Sequence, residues 1–460
     1  MQLNERVQCS FDTADYVVFK VSNSKGRVRP MRNLFLVLAM CFCASAGAQL
    51  NAGVATVSIT PLEANIPTQL GGYGAREGKP AEGVHDTLYG KVLILERDGR
   101  KTALVTLDVC GVPLCVTEES LAKAGIENLT VDNVLMTATH THTGLEGASL
   151  DRRNVANNPY VGIFSEPVLN FVTDRLAQGL RDANKALQPV RAGAGVVKLP
   201  GMNRNRRRDE FVDEDLTVLR LDRPNGSPYV VLVNYTAHGT IVSEHEMLAS
   251  GEWAGAMQRT VQALMGGDVT CMYTNGAEGD ISPNGAKGGS RWEMFQDYGL
   301  RVGIQAFKLA EKLETKDVKT FDQECIWVDL PPPQAAPDFV KIAGDEYHVT
   351  KEQLEALLPV MFPRKAPVYA LRVNDFEMVT FPGEAICQLG LALKDALRKA
   401  GIAYPCVGGL TTDDTVGYIL TADEYRQSGY EVTASFYGEG LGELLLSKAI
   451  ELGRKVAQKP

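Results

Sequence analysis

Asn133-Val134-Leu135-Met136-Thr137-Ala138-Thr139-His140-Thr141-His142-Thr143-Gly144 is a short apolar run that ends on two histidines and a glycine. Its aliphatic side chains, bounded by a turn signal, predict a buried strand over 133–139. Along extended backbone, residues i and i+2 point the same way. His140 and His142 are therefore expected to face one pocket where the strand ends. Neutral imidazole is a good zinc ligand, and two imidazoles side by side are costly to bury without a metal or a partner.

The same plan continues outward along the chain. β-rich runs recur at 54–60, 91–96, 103–109, 216–221, 229–236, 269–274, 370–373 and 377–381. Helical periodicity appears at 167–187, 253–265, 292–313, 385–400 and 441–457. Strands alternating with helices predict an α/β fold with mixed β-sheets packed inside helices. No internal repeat and no low-complexity segment is visible. Residues 314–367 differ in character, with Pro331-Pro332-Pro333 and many charges. They read as an insertion, with a small helical lid at 351–358.

The chain has 460 residues, with 56 acidic against 47 basic side chains and a net charge of −9. Phosphate binding needs the opposite balance, so nucleic acid is excluded as the main partner. The one basic run, Arg204-Asn205-Arg206-Arg207-Arg208, meets Asp209 and Glu210 at once and makes no basic face. Near the N-terminus, Met31-Arg32-Asn33 precedes an apolar run to Ala44 and a small-residue Ala46-Gly47-Ala48 cleavage signature. Residues 31–48 are expected to be a signal peptide, since about 20 apolar residues are needed to span a bilayer. Residues 1–30 are then a mis-called extension, with translation starting at Met31; an uncleaved anchor is the alternative. The protein is accordingly expected to be exported, to the periplasm or the medium. Cys9, Cys41 and Cys43 fall in that region, leaving six cysteines without a Cys-x-x-Cys pair. Cys110 and Cys115 read equally as a small disulfide loop or as two buried thiols.

Three more strand ends carry chemistry. His238 follows the run 229–235 and precedes Gly239. The Gly-rich turn Asn275–Asn284 follows 269–274 and contains Ser282, a candidate nucleophile without a Gly-x-Ser-x-Gly elbow and otherwise a loop residue. Glu384 ends Phe381-Pro382-Gly383-Glu384, either as a metal ligand or as a charge at a helix N-terminus.

As a set, these residues resemble the neutral, non-lysosomal ceramidases from about Gly53 to the C-terminus. The motifs are Ala138–Gly144, His238-Gly239-Thr240, Gly279–Asn284, Pro382-Gly383-Glu384 and Gly417–Tyr425, followed by Tyr430-Glu431 and Ser435–Gly438. The resemblance implies one Zn2+ per chain held by His140, His238, Glu384 and Tyr418. It implies His142 as an acid or base beside the metal, Tyr430 facing the reacting carbonyl, and Arg206 or Arg204 reaching the substrate. It also implies two sheets in a single large catalytic domain, residues 49–460. The sequence departs from the family at Leu145-Glu146, at Ser250–Gly255 and in Asn203-Arg204-Asn205-Arg206, where the serine of the family's Asn-Arg-Ser is absent, and it ends soon after Tyr437, where lipid-hydrolysing members continue into an immunoglobulin-like domain.

The expected function is zinc-dependent hydrolysis of the amide of ceramide (N-acylsphingosine) or a related N-acyl lipid, yielding a fatty acid and a sphingoid amine. The substrate is a small molecule or a lipid at a membrane or micelle surface, and no protein partner is inferred. The alternatives are a zinc hydrolase of the same fold acting on another N-acyl or ester substrate, and a serine hydrolase using Ser282 with His142 as its base. A non-catalytic binding protein is a third.

Overall fold

The computed structural model describes residues 49–208, 210–344, 347–412 and 416–459, together with the strands Val7–Phe11 and Val17–Val21. Those two strands pair antiparallel, Val7 opposite Val21, within a unit of their own, Met1–Ala48. The expected signal peptide at 31–48, with Cys41 and Cys43, lies outside the described residues. Among the described residues no helix is long and apolar enough to cross a membrane.

Residues Gln49–Pro460 form the second unit. It opens with β1 (Asn51–Ser58), β2 (Tyr89–Arg97), β3 (Arg100–Leu107), α1 (Leu114–Ala124), β4 (Val134–Ala138) and α2 (Glu166–Lys185). The same succession follows in β5 (Arg191–Lys198), β6 (Asp215–Asp222), β7 (Pro228–Tyr235), α3 (Glu252–Met265), β8 (Thr270–Asn275) and α4 (Arg291–Lys312). It occurs a third time in β9 (Phe321–Asp329), β10 (Lys365–Val373), β11 (Phe376–Thr380), α5 (Cys387–Lys399), β12 (Tyr404–Gly408) and α6 (Leu441–Ala457). The strand orders are β4-β3-β2-β1, β8-β7-β6-β5 and β12-β11-β10-β9, with a short strand, Gln188–Pro189, added beside β1. In each sheet the third and fourth strands are parallel and the other neighbours antiparallel. The chain thus contains a threefold structural repeat where its sequence shows none, and three mixed sheets where two were expected.

The helices lie outside and the sheets inside. One apolar cluster joins Leu93 and Leu104 of the first sheet, Leu219 and Met272 of the second and Leu371 and Met378 of the third, all buried. Each sheet turns its other face to its own helices: Leu176 of α2, Met257 of α3 and Leu452 of α6 each sit in a separate cluster. The expected insertion at 314–367 is part sheet, because β9 is the edge strand of the third sheet and pairs with β10 from Phe321↔Val373 to Asp329↔Lys365.

The repeat positions the site. With strands one, three and four all running the same way, their carboxyl ends fall at one end of each sheet. The turns after strands three and four gather there, together with the connection from strand one to strand two. Open α/β sheets bind ligands at this end.

Candidate functional site

His140 leaves β4 with a left-handed φ of +61°. This conformation is uncommon for a residue with a Cβ. The run therefore does not stay extended through His142. The turn is pinned instead, by Thr139 N–H donating to Leu107 O at 2.8 Å and His142 N–H donating to Gly239 O at 3.0 Å. A Cβ on Gly239 would sit 2.4 Å from His140 O, so only glycine allows this approach. The His140 and His142 rings still meet edge-on, 4.9 Å between centroids.

The protons on the two inner histidines are fixed by carbonyls, which only accept. His140 Nδ1 donates to Cys110 O at 2.7 Å, and His238 Nδ1 donates to Glu278 O at 2.8 Å. Both Nε2 atoms are then bare lone pairs. Glu384 Oε2 lies 3.1 Å from His238 Nε2 and 3.4 Å from His140 Nε2. Tyr418 Oη is 3.5 Å from His238 Nε2, and His142 Nε2 is 3.3 Å from His140 Nε2. Atoms bound about 2.0–2.1 Å from a tetrahedral zinc lie about 3.3 Å apart, so the donor set fits such an ion. Facing acceptors repel, and without a cation a proton takes the place. Burial disfavours charge on His140, but Glu384 outweighs it and carries His140 well above the usual imidazole range. Burial raises Glu384, but His140 and His238 outweigh that and hold it well below the usual carboxylate range. Burial and Arg206 pull His238 down to about 4. Burial, then His140 and His238, depress His142, whose Nδ1 has no partner among the described residues. His142 is therefore neutral.

Above these groups lies a cavity of about 300 Å³. His140, His142, Glu384, Tyr418 and Tyr430 line it. One wall is apolar, with Val349, Leu354, Leu357, Met361 and Phe362 from the 330–364 connection. The expected lid helix is present as Lys351–Met361 and supplies Leu354, Leu357 and Met361. The lining from the first repeat is more polar, with Gln69, Glu146, Asn158 and Tyr160.

His238 is fully buried behind the cavity. Glu384 sits in a two-residue strand, Glu384–Ala385, paired with Tyr418–Ile419, and α5 begins only at Cys387. Arg206 donates to Tyr418 Oη at 3.0 Å and is clamped by Glu431 at 2.7 Å. Arg204 is exposed and lies opposite Ser282 in a small strand pair; neither lines the cavity. Cys110 and Cys115 are free thiols. Cys110 lines the cavity, with Sγ 3.9 Å from His140 Nδ1. Sequence reasoning did not reach three residues. Glu278 is fully buried, with neither carboxylate oxygen partnered among the described residues. Glu146 accepts from the N–H groups of Gly72 and Ala148. Tyr347 shares a hydrogen bond with Tyr430 at 2.9 Å. Only Glu278 carried a local signal, as a carboxylate in a strand-end glycine turn.

Fold and site together define an α/β protein with a buried histidine–carboxylate cluster that could hold a metal ion, beneath a largely apolar cavity. The family model for the N-terminal part of neutral/alkaline non-lysosomal ceramidases matches residues 51–293, and the chain belongs to that family. It is 25% identical to the neutral ceramidase of Pseudomonas aeruginosa, over 80% of this chain and 66% of that protein. It is 26% identical to neutral ceramidase A of Dictyostelium discoideum, over 47% of this chain and 34% of that protein. The chain thus spans at most about two thirds of these relatives. The crystal structure of the Pseudomonas aeruginosa neutral ceramidase superposes with a TM-score of 0.75 at 20% identity, covering 89% of this chain and 75% of that one.

Proposed function

We propose that the chain is a zinc-dependent amidohydrolase that cleaves the amide of ceramide or a related N-acyl lipid to a fatty acid and a sphingoid amine. The observation that carries this reading is the facing of His140, His238 and Glu384 at tetrahedral spacing below an apolar wall. A zinc ion held by His140, His238, Glu384 and Tyr418 would polarise the amide carbonyl and bring the pKa of a bound water to about 7. His142, neutral in its buried setting, takes a proton from the attacking water and passes it to the departing amine. Tyr430 donates to the developing oxyanion. Arg206 holds the Tyr418 hydroxyl in place from outside the cavity lining, with its other donors on Glu431 and the Gly279 carbonyl, so it acts through Tyr418 and not by the substrate contact expected of it. Ser282 lies outside the cavity lining and is given no step. The apolar wall receives alkyl chain, each buried CH₂ contributing about 0.8 kcal/mol.

The cavity sits at the low end of the roughly 300–1,000 Å³ usual for small-molecule sites. That observation favours a second reading, in which the same centre acts on a shorter N-acyl or ester substrate. Export by removal of residues 31–48 is part of this proposal, and it predicts that the protein recovered outside the cytoplasm begins at Gln49. The test is metal analysis of the purified protein together with fatty-acid release from N-acylsphingosines. His238→Ala is expected to lose metal and activity together, whereas His142→Ala keeps the metal and loses about 100- to 10,000-fold in kcat. A fully metalled, active His238→Ala protein sinks the site.

A further inference from the structure

His140 and His238 each have a ring nitrogen tied to a carbonyl, and His142 does not. Its Nδ1 has no partner among the described residues. The groups that do fix the ring come from the connection between β1 and β2. Gly72 lies against it with φ +83°, and a Cβ there would sit 2.2 Å from His142 Nδ1. The Tyr73 ring meets the imidazole edge-on, 4.8 Å between centroids. Tyr73 is itself tied down by its hydroxyl, which donates to Val242 O at 2.8 Å.

The main chain of His142 is held on both sides. Its N–H donates to Gly239 O at 3.0 Å, and its carbonyl accepts from Arg76 Nη1 at 2.5 Å. Arg76 is 4% exposed and directs its fork at carbonyls. Nη1 also donates to Gly71 O at 2.7 Å, and Nη2 donates to Ser243 O and Glu246 O at 3.1 Å each. Its Cζ lies 4.9 Å from the centre of the Tyr73 ring. One guanidinium thus ties His142 to the Gly71 turn and to the second repeat. Lysine cannot reproduce this, because an ammonium has three donors and no planar fork.

We infer that Arg76 is a positioning residue for His142: with the Tyr73 ring it sets where the imidazole stands in the cavity wall, and so the line along which the proton leaves the attacking water. This rests on the hydrolase reading given above. Because the effect runs through His142, it has a signature that a merely structural brace lacks.

The test is Arg76→Lys in the full chain, assayed on a short-chain N-acylsphingosine and followed by NMR. We expect kcat to fall about 10- to 100-fold, the scale of a group displaced by about 1 Å, with KM within about twofold and metal content unchanged. On a His142→Ala background the same substitution is expected to change nothing further. The Hε1 signal of His142, assigned by its loss in His142→Ala, should shift and broaden in Arg76→Lys. Tyr73→Phe, which frees the ring from Val242 and leaves it facing His142, should give a smaller loss of kcat that also vanishes on His142→Ala. It carries the test if Arg76→Lys does not fold. Wild-type kcat, an unmoved His142 signal, or a loss that multiplies onto His142→Ala each overturns the inference. If the wild type cleaves no amide, the substrate part of the hydrolase reading fails instead. The His142 signal needs no substrate, so it still decides whether Arg76 holds the ring.

Discussion

Glu377 shows how one buried residue sets the behaviour of its surroundings. It lies on β11, fully buried, with neither oxygen partnered among the described residues, against Gly453 of α6. Burial pushes its carboxyl from 4.5 up to about 8. Between those two values the folded chain keeps a proton that the unfolded chain has released. The folded state is therefore disfavoured increasingly as pH rises from about 5 to about 8. Glu377→Gln removes this dependence while keeping shape. Its melting temperature is expected to match wild type near pH 5 and to exceed it near pH 8.5. Equal curves at both pH values would show that Glu377 is solvated or partnered in solution. Residues of this kind are invisible in sequence, because burial is a property of what packs around them. The same limit separates the site residues. His140 and His238 were legible as candidates because each closes an apolar run just before a glycine turn, and Glu384 because it follows one through Pro382-Gly383. Tyr418 was reached only through resemblance, since it opens a two-residue strand with no periodicity of its own.

At the scale of the element, the long amphipathic pieces were legible and the glycine-rich ones were not. The pattern at 253–265 became α3, and 441–457 became α6 with the expected bounds. Strand β5 (Arg191–Lys198) was missed because Gly193 and Gly195 break its alternation. Packing explains those glycines: a Cβ at Gly193 would meet Glu314 O at 2.7 Å, and one at Gly195 would meet Leu313 Cδ2 at 2.8 Å. Strand β12 was hidden by Pro405 and its five-residue length. The α3–α4 contact depends on the same device. Gly299 and Gly303, one turn apart on α4, face α3, and a Cβ at Gly299 would lie 2.5 Å from Trp253 O, a backbone atom with little room to retreat. Gly299→Ala is expected to destabilise the protein by about 1–3 kcal/mol through overpacking, despite alanine's better helix propensity. Urea unfolding measures it, and a stabilised variant would mean that α3 and α4 slide apart at no cost.

At the scale of the whole molecule, the three repeats are joined by a shared apolar cluster and by two buried ammonium groups. Lys91 of β2 reaches into the second repeat, donating to Gln258 and Gln262 of α3 at 2.9 and 3.1 Å and to Cys271 O at 2.7 Å. Lys394 of α5 crosses from the third repeat to the second. Its Nζ lies 2.7 Å from Asp213 Oδ2 and 3.3 Å from Asp215 Oδ2. Arg398 adds a second donor to Asp215 at 2.7 Å. Lys394 is 1% exposed and Asp213 3%, so neither charge has water to fall back on. Replacing one partner of such a pair leaves the other buried and uncompensated, at a cost of about 3–5 kcal/mol. Lys394→Met keeps the stem's volume and removes only the ammonium. We expect its urea midpoint to fall accordingly, with an unchanged slope, because the shared cluster makes the three repeats unfold together. Pairing it with Asp213→Asn removes the stranded charge, and most of the loss should return. If Lys394→Met is as stable as wild type, the clamp contributes nothing beyond its packing. If the transition splits in two, the repeats are held together chiefly by this ion cluster and not by the apolar core they share.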